Sequence, residues 1–331
     1  MDRKWLIQRR KFLRCSVAAG LAILAGDTAV GSAAPKKEGK VNTTGSEDLP
    51  IVDTHQHLWD LSRFRLPWLQ GAAAINRSFV MKDYLEATAG LNVQRTIYME
   101  VDVDPSQQVE EAEYVIDLCR RHDNPMAAAV ISGRPASPEF KEYITRFKES
   151  PFIKGVRQVL HGGSTSPGYC LAPEFIQGIR LLGDLGMRFD ICIRPAEISD
   201  AIKLVDACPS TRFILDHCGN PDTQAPDRSQ WERDIAALAE RKHVVCKVSG
   251  IIAGTKPDRP KVDQLEPFVK HVLACFGPDR VMFGGDWPVC LLGATYREWV
   301  ETLRQIVRDR PLEDRRKLFY DNAVRFYGLA A

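Results

Sequence analysis

The sequence predicts an α/β fold built as a single (β/α)8 TIM barrel, and three observations predict it. From Ile51 onward, short apolar runs alternate with amphipathic stretches at intervals of a few tens of residues. The runs number eight, against the roughly five to seven strands usual in an open doubly wound sheet. Polar residues able to do chemistry collect at the carboxyl ends of the runs, where barrels carry their sites.

The strand candidates, in order, are IVDTH, RTIYMEV, MAAAVIS, FIKGVRQVL, RFDICIR, RFILDH, HVVCKVS and RVMFGGD. Between them, segments such as SQQVEEAEYVIDLCRRH and SQWERDIAALAERKH place apolar residues at helical spacing. Each begins with a serine, Ser106 or Ser229, of a type suited to capping. Alternate strand residues face the barrel interior. On the fifth run this turns Asp190, Cys192 and Arg194 inward and Phe189, Ile191 and Ile193 outward. On the second it leaves Tyr98 and Glu100 inside, with Ile97, Met99 and Val101 against the helices. On the seventh, Lys247 and Ser249 reach the rim of the pocket.

The chain has 331 residues, 44% hydrophobic and 27% charged, the mix of a globular protein with a sizeable core. A net charge of +2, with basic and acidic residues interspersed, gives no electrostatic footprint for nucleic acid, so the expected partner is a small molecule. The nine cysteines show no regular pairing; Cys192 and Cys246 read as small buried hydrophobes.

Residues 1–34 read as a leader: Arg9 and Arg10 stand just before Phe12 and Leu13, and the apolar stretch CSVAAGLAILAG that follows is too short to span a bilayer. This resembles the twin-arginine export signal, so the translocase is an expected transient partner and the periplasm the expected location. Residues 35–48 have linker composition, and residues 49–331 form the barrel.

The first run ends in Asp-Thr-His-Gln-His, and a period of two puts His55 and His57 on one face. His217 ends the sixth run and Asp286 the eighth, so three imidazoles and a carboxylate converge on one axial site. Such nitrogen and oxygen donors suit one zinc or manganese ion with a position left for water.

Together VDTHQHLWD, the following PWL, IKGVRQVL, LDHCGNP, KVSGI and FGGDWPV, in that order from about Ile51 to Tyr327, resemble the amidohydrolase superfamily. The branch is the amidohydrolase-related one, which includes sugar lactonases and a pyrone dicarboxylate lactonase. The resemblance implies a metal-dependent hydrolase type of barrel. It implies that His55 and His57 are the strand-one metal pair, that His217 is a later-strand histidine, and that Asp286 is the general base, with His217 beside it in catalysis. One departure stands out: the fifth strand offers Arg194 where metal-rich members carry a histidine, which argues against a binuclear centre. The site is then mononuclear, or metal-free with the histidines as donors.

Arg157 and Arg194 at strand ends point to a substrate bearing a carboxylate or several hydroxyls, or else to internal ion pairs. Glu100 is an extra ligand, a sugar-hydroxyl acceptor, or the partner of Lys247 or Arg157. Trp59, Trp68 and Trp287 either stack on a sugar ring or anchor loops. The expected reaction is hydrolysis of a cyclic ester, a sugar-acid lactone above all. Decarboxylation of an aromatic acid and a catalytically idle carbohydrate-binding barrel are the alternatives.

Overall fold

The computed structural model describes residues 49–163 and 165–329; the leader read over 1–34 and the linker over 35–48 lie outside the described residues. All eight predicted runs form strands: β1 (Ile51–Gln56), β2 (Val93–Met99), β3 (Met126–Ser132), β4 (Ile153–Val159), β5 (Arg188–Cys192), β6 (Arg212–Leu215), β7 (Val244–Val248) and β8 (Val281–Phe283). They are parallel and lie in sequence order. The seam between β8 and β1 is closed by the motif residues themselves. Asp286 N–H donates to the His55 carbonyl (2.7 Å), His57 N–H to the Trp287 carbonyl (2.8 Å), and the Thr54 hydroxyl to the Phe283 carbonyl (2.6 Å).

Eight helices follow the strands in turn: α1 (Met81–Thr88), α2 (Gln108–Arg120), α3 (Phe140–Thr145), α4 (Pro173–Asp184), α5 (Ile198–Ala207), α6 (Ser229–Ala239), α7 (Lys261–Phe276) and α8 (Tyr296–Ile306). Two more, α9 (Leu312–Arg316) and α10 (Asn322–Tyr327), come after them. The predicted serine caps are corrected: the oxygens that accept are those of Asp104 and Asp227, from the backbone N–H of Ser106 (3.0 Å) and Ser229 (2.9 Å). An ionised aspartate two residues upstream is the better acceptor for these amides.

The barrel interior is layered. Val52, Ile97, Met99, Ala128, Val130, Ile214, Val245 and Met282 form a buried apolar layer closed by Ala323 and Tyr327 of α10. This corrects the facing of β2. Met99 pairs with Val130 and Ile97 with Ala128, and parallel partners share a face, so Ile97 and Met99 point inward and Tyr98 points to the helices. Thr96, Ile97, Tyr98 and Met99 are all buried, so both faces of this half of β2 are covered and alternation does not tell the barrel interior from the helix side.

On the outer side the Tyr98 hydroxyl (2.9 Å) and Val101 N–H (2.8 Å) donate to Glu111 of α2. Burial, helped by the nearby Glu100 carboxylate, pushes the Glu111 carboxyl up to about 8. The folded protein therefore holds a proton here that the unfolded chain releases near the usual glutamate value of about 4.3. This group stabilises fully below that value, and its contribution is lost as pH rises toward 8. Replacing Glu111 with Gln should flatten the fall in stability between pH 5 and 8, measured as urea midpoints across that range. An unchanged slope would mean Glu111 is ionised in the fold.

Candidate active site

Above the apolar layer lies a charged one. The Lys247 ammonium is fully buried, 2.5 Å from Asp190 and 3.3 Å from Asp216. Arg157 donates through Nε to Glu100 (2.6 Å) and through Nη2 to the Glu100 carbonyl (2.7 Å), and its Nη1 lies 3.4 Å from Asp216 and 3.2 Å from His55 Nε2. Of the four charged side chains considered for substrate binding, Arg157, Glu100 and Arg194 thus take the internal ion pairs that were their alternative, and Lys247 sits lower than expected. Lys247 stops well below the rim because two carboxylates neutralise it inside the barrel. Arg157 and Glu100 hold each other. Arg194 donates to Glu197 (2.7 Å), to the Gly162 carbonyl (3.1 Å) and to the Thr165 carbonyl, clamping the loop after β4.

Trp59 takes its loop-anchoring role. It is buried, donates from Nε1 to the Arg77 carbonyl (2.6 Å), and packs edge-on against Trp68 and Phe79. Trp287 packs on Phe79 and Tyr84 in the same way. Cys192 and Cys246 are buried and free, as expected.

The reactive cluster sits on top of the charged layer, where the structure brings His55, His57, His217 and Asp286 together. Each imidazole turns its Nδ1 toward an oxygen. That of His57 faces the Met99 carbonyl at 2.9 Å, that of His55 faces Asp216 at 3.5 Å, and that of His217 faces the Ser249 hydroxyl at 3.0 Å. Asp286 Oδ1 lies 3.3 Å from His57 Nε2 and 3.7 Å from His55 Nε2. Burial alone would raise the Asp286 carboxyl, but His217, His57 and His55 outweigh it and hold the group at about 2. Desolvation keeps His55 well below, and His217 below, the ordinary histidine value, so both are neutral.

Two local features set this geometry. His217 and Asp286 both have left-handed backbones, with φ of 56° and 53°, a conformation that non-glycine residues adopt at strain and that clusters at functional sites. Gly250 gives His217 its room: a Cβ there would stand 2.3 Å from the imidazole Nδ1.

Sequence reasoning missed two residues. Asp216 is buried between His55, Arg157 and Lys247. Burial alone would raise it, but Lys247 and His55 bring it well below the usual carboxylate range. The signal was present, since Asp216 follows inward Ile214 by two; it is His217 that breaks alternation, swung inward by its left-handed turn. Asp53 accepts from Gly285 N–H (2.7 Å), His55 N–H (3.0 Å), Tyr84 (2.9 Å) and Tyr296 (3.0 Å), and so pins the β1–β8 seam. A register irregularity between Asp53 and Gln56 separates its direction from that of His55.

The cluster also answers whether a cation fits. The Met99 carbonyl can only accept, so His57 Nδ1 carries a hydrogen and Nε2 is the atom turned to the site, 3.3 Å from Asp286 Oδ1. Nε2 of a neutral His57 and the Asp286 carboxylate would both serve as ligands to a cation between them. His55, His57 and Asp286 have ligand atoms within 4.8 Å of one another and fit a divalent ion; a second trio, His55, Asp216 and His217, satisfies the same spacing. In the second trio Asp216 already neutralises Lys247 and Arg157, so the first is the better donor set.

An inward carboxylate held ionised beside imidazoles at the carboxyl end of a (β/α)8 barrel defines a hydrolase-type site. The chain belongs to the amidohydrolase family whose model (Amidohydro_2) matches residues 52–329, and it is a hydrolase. It is 28% identical over 283 residues to an L-fucono-1,5-lactonase of Burkholderia ambifaria, covering 83% of this chain and 94% of that one. It is 25% identical over 287 residues to a 4-sulfomuconolactone hydrolase of Rhizobium radiobacter, covering 84% and 89%. Among solved structures, an amidohydrolase from Burkholderia multivorans with bound zinc superposes with a TM-score of 0.77 at 24% identity, over 85% of this chain and all of the other.

Proposed function

We propose that this protein opens a neutral, hydroxylated lactone by addition of water, with Asp286 as the base. The observation that carries the reading is the Asp286 carboxylate, ionised and 3.3 Å from His57 Nε2 at the mouth of the barrel. A water hydrogen-bonded to Asp286 gives up its proton as it adds to the lactone carbonyl; the same proton then passes to the ring oxygen as the C–O bond breaks. In the tautomer where the Ser249 hydroxyl donates to His217 Nδ1, 3.0 Å away, His217 Nε2–H is the donor for the developing oxyanion. His55, His57 and Asp286 would hold a divalent ion such as zinc or manganese, and bound there it supplies Lewis-acid polarisation of the carbonyl.

Charge balance supports a neutral substrate. Arg157 is matched by Glu100 and Asp216, Lys247 by Asp190 and Asp216, and Arg194 by Glu197. A sulfonated or dicarboxylated lactone would find each of these side-chain cations already paired. The lactonase relative named for a fuconolactone points the same way. In the same reading, residues 1–34 act as a twin-arginine leader and the protein works in the periplasm.

The test is lactone hydrolysis by the purified protein beside its metal content, before and after chelation. Near-stoichiometric zinc or manganese, with activity lost on chelation and restored by the ion, is the expected result. Activity that survives chelation would leave the histidines as sole donors. No hydrolysis of any lactone would overturn the reading.

A further inference from the structure

We propose that Asp102 and Arg134, side by side on the rim above β2 and β3, form the pair that reads a vicinal diol of the substrate, an inference that rests on the lactonase reading and deepens it. Ser132 lies in the same interior row as Arg157, and the row continues through Gly133 N–H, which donates to the Arg157 carbonyl at 3.2 Å. Arg134 follows Ser132 by two and keeps its facing: Nη1 donates to the Ser132 hydroxyl at 3.1 Å, so the guanidinium hangs inside the mouth, over that row.

Asp102 is set by the same network that fixes the reacting end. Its backbone is left-handed, with φ of 49°, and its N–H donates to Glu100 Oε2 at 2.7 Å. Glu100 Oε1 takes the Arg157 Nε hydrogen at 2.6 Å, and Arg157 Nη1 lies 3.2 Å from His55. A ligand held at Asp102 is thereby registered against the histidines through rigid, buried charges.

The pair is also accessible in a way that the deeper charges are not. The Arg134 and Asp102 side chains are 24% and 37% exposed, against 5% for Arg157 and 0% for Lys247. Arg134 Nη2 donates to Asp102 Oδ1 at 2.8 Å, and Nη1 is taken by Ser132 and by the Gly133 carbonyl. That leaves an Nη2 hydrogen of Arg134 and the Oδ2 acceptor of Asp102 side by side. Adjacent hydroxyls, one accepting and one donating, match a donor next to an acceptor. A carboxylate would be repelled by Asp102.

The experiment compares kcat/KM for a panel of aldonolactones, glucono-1,5-lactone included, with that for δ-valerolactone, which has the ester ring and no hydroxyls. Arg134→Met removes the donors; Asp102→Asn keeps a residue that tolerates the left-handed backbone but changes its acceptors. Wild type should prefer a hydroxylated lactone, and each variant should lower the ratio of the two kcat/KM values by about tenfold or more, mainly through KM, with melting temperature little altered. An equal fall on both substrates would make the pair structural, and an unchanged ratio would remove it from recognition; either overturns the inference while leaving the lactonase reading intact. Wild type that hydrolyses none of these lactones would overturn that reading and the inference together.

Discussion

Replacing Asp286 with Asn should lower kcat by about 10³-fold, equivalent to about 4 kcal/mol of transition-state stabilisation, while the protein still folds. The amide cannot take the proton of the attacking water, so the loss falls on the chemical step and KM should move little. The fold survives because residue 286 closes the barrel seam through its backbone, with N–H on the His55 carbonyl at 2.7 Å, and an asparagine keeps that bond and the left-handed backbone. Steady-state kinetics with a melting curve separates these effects. A kcat within a few-fold of wild type would exclude Asp286 as the base.

The largest stability effect is expected from Lys247→Met. Methionine nearly matches the length of the lysine stem but leaves Asp190 and Asp216 buried without the ammonium that lies 2.5 and 3.3 Å from them. Breaking one side of a buried charge network costs about 3–5 kcal/mol, which a urea midpoint at pH 7 would register. Burial already pushes the Asp190 carboxyl up to about 7 even with Lys247 beside it. Without the lysine its folded value moves further up. The folded state then holds a proton that the unfolded chain releases near pH 4, so the deficit should grow as pH rises above that value. Adding Asp190→Asn should restore part of the loss. A variant as stable as wild type at pH 8 would show that water, not lysine, solvates these carboxylates.

Both variants probe residues that the sequence exposed to different degrees. Asp286, His55 and His57 were legible because each stands at or just past a strand end in a motif whose spacing survives folding. Lys247 was legible as an inward residue, but its height was not. Alternation tells which way a side chain points and says nothing of which carboxylates wait below it; Asp190 and Asp216 come from other strands, 57 and 31 positions away. For Arg157 and Glu100 the sequence left substrate contact and mutual pairing both open for the same reason, and the structure shows the pairing. Trp59 shows the limit for apolar groups, since an indole beside a motif looks alike whether it faces a sugar or a neighbouring ring.

What the sequence by itself determined was the number and order of strands, the class of chemistry and the end of the barrel that carries it. These follow from local periodicity and from motifs only a few residues long. Only the tertiary structure decided how β2 faces, that Asp216 rather than His217 follows the alternation of β6, and which charges cancel before a substrate arrives. The β2 facing depends on register against β3, the His217 direction on a left-handed turn for which Gly250 makes room, and the charge balance on distances between strands far apart in the chain. Each is a relation between segments, and a one-dimensional pattern holds no record of which segments will meet.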